Sequence, residues 1–110
     1  MALKHAGPGE TVDLSPLGEA LHEARTEAIV KSKFFEAVRL VVRAGALIPM
    51  HRVPGPITLH CIEGRVEIGR SGNVSLELAS NQWAYLDGGE PHSVRGIEDA
   101  SLLLTILFVA

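Results

Sequence analysis

The sequence predicts an all-β fold, a sandwich or barrel of short strands with little helix, and three observations support this. Turn-forming Gly, Pro, Asn and Asp recur at short intervals and leave runs of about five to ten residues, which is the length of strands. Residues 74–78 (VSLEL) alternate strictly between apolar and polar, as a half-buried strand does. Residues 34–43 and 102–109 are rich in aliphatic and aromatic side chains, which favours longer strands buried on both faces.

One segment has helical character. Ser15 is a candidate helix cap, Pro16 suits the first helical position, and residues 19–27 contain good helix formers. Gly18 weakens this helix, so we expect only a turn or two.

A hairpin is predicted further along the chain. Residues 65–68 alternate in the opposite phase to residues 74–78, and residues 71–73 (SGN) between them tolerate the positive φ of a tight turn. We therefore expect one domain, with an N-terminal arm over residues 1–25 that holds a short strand or helical turn, and a β-barrel over residues 26–110.

Composition excludes several classes of protein. The chain has 110 residues, of which 46% are hydrophobic and 21% charged, so it can form a core and is not intrinsically disordered. A net charge of −3 argues against a nucleic-acid partner. The single cysteine, Cys61, has no intramolecular disulfide partner. No secretory signal is visible, and the longest apolar run, residues 102–110, is too short to span a membrane. We expect a cytoplasmic protein that binds neither nucleic acid nor membranes.

The five histidines are the best candidates for chemistry. His5 and His22 lie in polar segments and are expected to be solvated, whereas His51, His60 and His92 each lie in or beside a predicted strand. Neutral imidazole is the commonest protein ligand for transition metals.

Two segments resemble the motifs of a known family. Residues 45–64 (GALIPMHRVPGPITLHCIEG) are similar to the first motif of the cupin superfamily, G-x5-H-x-H-x3–4-E-x6-G, and residues 87–92 (DGGEPH) are similar to its second motif, P-x-G-x-x-H. The resemblance covers residues 26–109 and is that of a small single-domain cupin. It implies a jelly-roll-like double-stranded β-barrel, a fold that carries many unrelated activities.

The same resemblance implies a degenerate metal site. Metal-binding cupins hold the ion with two histidines and a glutamate of the first motif and the histidine of the second. His51 and His92 keep two of these positions, whereas Val53 and Ile57 stand in place of the other two ligands. A zinc or non-haem iron site normally takes at least three protein donors.

A third ligand depends on the register of a predicted hairpin over residues 51–62. If residues 54–56 form its loop, Leu59 and Cys61 point into the barrel with His51, and His60 points outward. A bulge or a longer loop would bring His60 inside instead. Two models of a three-ligand metal site follow. One consists of His51, His92 and His60, and the other of His51, His92 and Cys61.

Further residues are candidates for lining the pocket. Val53, Ile57 and Leu59 would make it apolar. Arg39 would hold an anionic ligand if its side chain faces the barrel, and otherwise lies on an outer face or a subunit contact. Trp83 and Tyr85 share one face of a strand and suit a core, a rim or a pocket mouth.

Three functions remain open on the sequence. One is an enzyme whose barrel holds one divalent metal ion, zinc, iron, manganese or nickel, and acts on a small organic substrate. Another is a metal-free module that binds or senses a small, partly hydrophobic molecule. The third is a structural dimer without a ligand. A homodimer is expected in each case, because the strand over residues 102–109 is apolar on both faces and one face must be covered.

Overall fold

The computed structural model describes residues 5–109. Residues 1–4 of the predicted arm and Ala110 at the end of the predicted barrel lie outside this range. Seven strands and two short 3₁₀ segments make up the described fold. The strands are β1 (Glu27–Lys31), β2 (Phe35–Val42), β3 (Leu47–His51), β4 (Ile57–Arg70), β5 (Ser75–Ala79), β6 (Trp83–Leu86) and β7 (His92–Leu107), and the 3₁₀ segments are Gly18–Glu23 and Ser71–Asn73.

Two long antiparallel strands, β4 and β7, organise the barrel. The N-terminal half of β4 pairs with β6 and with the C-terminal half of β7, which in turn pairs with β2 and through it with β1. The C-terminal half of β4 pairs with β5 and with the N-terminal half of β7, which pairs with β3. The strands therefore divide into two layers that β4 and β7 join, and the predicted all-β, jelly-roll-like class is confirmed.

The two long strands turn from one layer to the other near Gly64. The pairing register shifts between Cys61 and Val66, and Gly64 adopts a φ of +81°. A Cβ atom built on Gly64 would lie 2.0 Å from the carbonyl oxygen of Asp99, so only glycine fits this close approach of the backbones. The bulges also change which residues point inward, from odd numbers before Gly64 to even numbers after it.

Several local predictions are confirmed. The hairpin around Ser71–Asn73 joins β4 to β5, with Val66 opposite Leu78 and Ile68 opposite Leu76. The helical segment is limited to the 3₁₀ helix Gly18–Glu23, as expected for a turn or two.

Three local predictions are wrong. Ser15 does not cap the helix, whose N-cap is Leu17 without a side-chain hydrogen bond. The strands β2 and β7 are not fully buried on both faces, because their outward-facing residues remain partly exposed. The expected hairpin over residues 51–62 does not form, because β3 and β4 each pair with β7 and not with each other.

The core lies between the two layers. It consists of inward-facing aliphatic side chains and the Cys61 thiol: Leu40, Val42, Ile57, Leu59, Cys61, Val66, Ile68, Leu78, Leu86, Val94, Ala100 and Leu102. None of the helical segments within residues 5–109 is long and apolar enough to cross a membrane.

Candidate functional site

His51 and His92 are neighbours on adjacent strands. His51 ends β3, His92 begins β7, and the two are paired in the β3–β7 ladder. Their ring centroids lie 4.4 Å apart, with the ring planes tilted by 58°. Positions forty-one residues apart in the chain are thus brought into contact by strand pairing.

A β-bulge turns His51 toward the core. Ile48 pairs with Val94, but His51 pairs with His92, so β3 carries one more residue than β7 over this interval. In a regular strand, Ile48 and His51 would face opposite sides of the sheet, because they are three positions apart and side chains alternate. The bulge turns both toward the same side. Both line the same cavity here.

Backbone carbonyls orient both imidazoles in the same way. The Nδ1 atom of His51 lies 3.1 Å from the carbonyl oxygen of Pro49, and the Nδ1 atom of His92 lies 3.1 Å from that of Glu90. A carbonyl oxygen only accepts, so each Nδ1 must carry the proton. In the neutral rings, the lone pair then lies on Nε2, which has no hydrogen-bond partner among the described residues.

The two rings line a small apolar cavity of about 150 Å³ between the layers. His92 is 5% exposed, whereas His51 is exposed at the mouth. The other lining side chains are all aliphatic: Leu40, Ile48, Ile57, Leu59, Val94 and Leu104. The predicted pocket residues Ile57 and Leu59 are among them.

The residues present do not fit a resident metal ion. Zinc and non-haem iron sites normally take at least three protein donors, and here the cavity that the two imidazoles line is otherwise aliphatic. Within residues 5–109, no group of three or more His, Cys, Asp or Glu side chains is arranged to hold a metal.

The structure does not bring His60 or Cys61 into this group. His60 lies between the buried Leu59 and Cys61, so its side chain is on the outer face of β4, opposite Trp83 and Leu103. Cys61 faces inward but lies deeper, where its thiol donates to the carbonyl oxygen of Glu63 at 3.4 Å. Burial raises the pKa of this thiol.

Arg39 and Val53 also lie away from the cavity. Arg39 faces outward from β2, where its Nη2 atom donates to the carbonyl oxygen of Ser15 at 2.9 Å. This is the outer-face alternative expected for Arg39. Val53 packs at the edge of the core and lines a separate groove with Phe108 and Val109.

Trp83 and Tyr85 lie on the outside of the barrel, 60% and 53% exposed. They share that side with His60 and Leu103 in one row and with Thr58 and Thr105 in the next. These six residues carry no formal charge when the histidine is neutral, and we call them the neutral face.

Sequence matches are absent, but structural ones are strong. No protein-family model and no curated protein matches the chain. A cupin superfamily protein from Desulfitobacterium hafniense is similar in structure, with a TM-score of 0.75 and 16% identity over 89% of this chain and 94% of that one. An RmlC-like cupin protein from Desulfovibrio desulfuricans has a TM-score of 0.69 and 23% identity over 96% of each chain. The chain has a cupin-type fold.

Another structural neighbour of this cupin barrel is an enzyme. The DMSP lyase DddQ from Ruegeria pomeroyi has a TM-score of 0.68 and 19% identity, over 86% of this chain and 52% of that one. The resemblance predicted from the two sequence motifs is thus confirmed at the level of fold. At these identities, the similarity establishes the fold and not the activity.

Arg70 was missed by the sequence analysis, although a signal for it exists. Val66 and Ile68 point into the cupin barrel, and continuing their alternation by two residues places Arg70 on the same inner face. Arg70 pairs with His92 across the β4–β7 ladder. His51, His92 and Arg70 thus occupy one inward-facing row across β3, β7 and β4, which we call the histidine row.

A second polar group lies where β4 bends between the layers of the cupin barrel. The Glu63 carboxylate accepts hydrogen bonds from the amides of Leu17 (2.9 Å) and Gly18 (3.1 Å) and from the hydroxyl of Ser101 (2.5 Å). We call Glu63, Ser101, Leu17, Gly18 and the nearby Arg39 the Glu63 cluster. Burial alone would raise the pKa of Glu63, but these hydrogen bonds and the Arg39 charge outweigh it and hold that pKa below its usual value.

Proposed function

We propose that this cupin barrel captures a small organic molecule in the cavity between its layers, with the imidazoles of His51 and His92 as its polar anchor. The observation that carries this is the pair of imidazoles that line an otherwise aliphatic cavity, each with its Nδ1 atom bonded to a backbone carbonyl and its Nε2 atom without a partner among the described residues. A small number of polar groups in an otherwise apolar cavity is typical of small-molecule sites, because the apolar walls supply affinity and the polar groups fix the orientation of the ligand.

The size and chemistry of the cavity limit the ligand. An engineered protein cavity of about 150 Å³ holds benzene, so an apolar body of about six carbon atoms fits the cavity beside His92. The Nε2 atoms accept hydrogen bonds, so the ligand should carry a hydroxyl or amine next to that body. Ile57, which stands where the cupin resemblance implies a glutamate ligand, lines the cavity and is consistent with an apolar rather than an ionic site.

Binding of benzyl alcohol tests this proposal, because it joins a six-carbon ring to one hydroxyl donor. We expect saturable binding by calorimetry or by NMR titration. In His92→Ala, the affinity should fall about five- to tenfold, since one hydrogen bond in a desolvated site is worth roughly 1–1.5 kcal/mol. Circular dichroism should show an unchanged fold.

His60→Ala is the matched control, because it removes an imidazole from the outer face of the same barrel. It should bind benzyl alcohol as the parent does. Equal binding by His92→Ala and the parent would contradict the proposal. The metal-dependent alternative is tested by titrating zinc alone: about one ion per chain, lost in both His51→Ala and His92→Ala, would favour an enzyme whose substrate completes the coordination.

We also propose that the cupin barrel forms a two-fold homodimer through the neutral face. The outer side of the other layer carries Arg65, Glu67, Glu77, Arg95 and Glu98, with ion pairs from Arg65 to Glu77 and Glu98. A charged surface of this kind is favourable in contact with water, whereas exposed aromatic residues without charges are typical of the centre of an interface. A two-fold axis places the same face on both copies, so a face without charges meets itself without repulsion.

Trp83 is the residue to change in a test of the dimer. Trp83→Glu should give a monomer in sedimentation velocity at micromolar concentration. The control Ser75→Glu adds the same charge to an exposed position in the other layer and should remain dimeric. A parent protein that sediments as a monomer under these conditions would contradict the dimer and leave the ligand site untouched.

A further inference from the structure

Arg70 extends the polar site beyond the two imidazoles. It stands on β4 opposite His92, which stands on β7 opposite His51. Neighbouring strands lie about 4.8 Å apart, so the guanidinium can reach a ligand that is already hydrogen-bonded to His92. Val66 and Ile68, on the same inward-facing side of β4, are fully buried, which places the base of the Arg70 side chain at the end of the core.

The Arg70 side chain is held in place but retains donors. Its Nε atom donates to a carboxylate oxygen of Glu90. Both terminal nitrogens, Nη1 and Nη2, have no hydrogen-bond partner among residues 5–109, and 40% of the side chain is exposed. The two terminal N–H groups form the planar fork that binds a carboxylate in a bidentate manner.

Glu90 connects Arg70 to the imidazole of His92. Its side chain accepts from Arg70, and its backbone carbonyl lies within hydrogen-bond distance of Nδ1 of His92. The Glu90 side chain is only 19% exposed. One residue thus orients both groups, which keeps the guanidinium and the imidazole in a fixed relation. Arg70 does not line the cavity itself, so it would meet the part of a ligand that extends past His92.

We infer that the ligand of this cupin barrel is a small carboxylate with a hydroxyl group next to the carboxylate and an apolar body, and that Arg70 selects for the carboxylate. The inference rests on the proposed function of the cavity. The apolar body lies among Leu40, Ile57 and Leu104, the hydroxyl donates to Nε2 of His92, and the carboxylate accepts from the terminal nitrogens of Arg70. Three chemical features of the ligand thus meet three adjoining parts of the site.

Mandelate and benzyl alcohol form the matched pair of probes, because mandelate is benzyl alcohol with a carboxylate on the carbinol carbon. The parent protein should bind mandelate about tenfold more tightly than benzyl alcohol, since bidentate charge-assisted hydrogen bonds are about twice as strong as neutral ones. Arg70→Gln should weaken the binding of mandelate and so remove this preference.

Arg95→Gln is the matched control for charge. It removes one positive charge from an exposed position on the outer side of β7, so the preference for mandelate should remain. Glu90→Gln keeps an acceptor for Nε and removes a negative charge beside the carboxylate site, so it should increase the affinity for mandelate and not for benzyl alcohol.

The outcomes separate this inference from the proposed function. Equal binding of the two probes by the parent protein, or an equal loss of both in Arg70→Gln, would overturn the role of Arg70 and leave the cavity proposal standing. The same role would be overturned if Arg95→Gln lost the preference as well, because the effect would then be one of net charge. If neither probe binds, the proposed function itself fails.

Discussion

The barrel holds two polar groups, and the Glu63 carboxylate of one differs from the imidazoles of the other in how fully it is hydrogen-bonded. In the Glu63 cluster, the carboxylate accepts from two backbone amides and from the fully buried Ser101 hydroxyl. In the histidine row, each imidazole uses only Nδ1, and Arg70 uses only Nε within the described residues. The Glu63 carboxylate is thus satisfied by the protein itself, although the buried Nε atom of the neighbouring Arg39 has no partner among the described residues. The histidine row leaves acceptors and donors for something else.

This difference indicates what each group does. A satisfied buried group stabilises the fold, because removing any member leaves its partners without hydrogen bonds. A group that keeps unused donors and acceptors beside a cavity lowers stability relative to an apolar replacement, and such sites are typical of binding. The Glu63 cluster therefore ties the 3₁₀ helix to the barrel, and we interpret the histidine row as the site that binds a ligand.

The largest expected effect is on stability in the Glu63 cluster. Glu63→Ala leaves the amides of Leu17 and Gly18 and the Ser101 hydroxyl without their acceptor, so the free energy of unfolding should fall by about 2–3 kcal/mol. Urea denaturation followed by circular dichroism measures this. Binding of benzyl alcohol to the folded fraction should not change. A loss below about 0.5 kcal/mol would show that water replaces Glu63 at no cost.

A smaller effect is expected in the pH dependence of stability. The pKa of Glu63 in the folded protein lies below its usual value. Ionised Glu63 therefore stabilises the fold fully above about pH 4.3, the ordinary glutamate pKa. This stabilisation is lost as the pH falls through the lower pKa of the folded state. Glu63→Gln removes this titration and keeps an acceptor. The parent should exceed Glu63→Gln in free energy of unfolding by less at pH 3 than at pH 7.

The contrary result would be a constant difference across that pH range. The pKa values of Asp13 and Asp99 are also lowered by their hydrogen bonds, so both the parent and the variant should still lose stability in acid. Only the difference between the two proteins reports on Glu63.

The sequence predicts the fold better than the site because periodicity is local and strand pairing is not. Alternation at residues 65–68 and 74–78 predicted the hairpin around Ser71–Asn73, and the structure confirms it. The pairing of β3 with β7 depends on a partner more than forty positions away, so a local hairpin was expected instead. The two registers of that hairpin placed His60 outward in one case and inward in the other, and the sequence did not decide between them.

Bulges explain the rest of what was missed. One extra residue in β3 turns His51 toward His92, and no alternation rule applied to residues 47–51 reveals it. Gly64 and Gly96 belong to the recurring glycines that indicate turns in the sequence, but both lie inside strands, at positions where another part of the backbone approaches closely. Arg70, by contrast, was within reach of the sequence, because it continues the alternation of Val66 and Ile68.

The smallest effect on stability is expected in the histidine row, and it would sharpen the comparison most. His51 is exposed at the cavity mouth and makes a single hydrogen bond, to the Pro49 carbonyl. His51→Leu should therefore change the free energy of unfolding by no more than about 0.5 kcal/mol. We expect a small increase, because the leucine adds an apolar side chain to an apolar cavity. The same variant should bind benzyl alcohol several-fold more weakly by calorimetry. A stability loss as large as that of Glu63→Ala would mean that the imidazole pair is a structural group like the Glu63 cluster, and the distinction between the two regions would disappear.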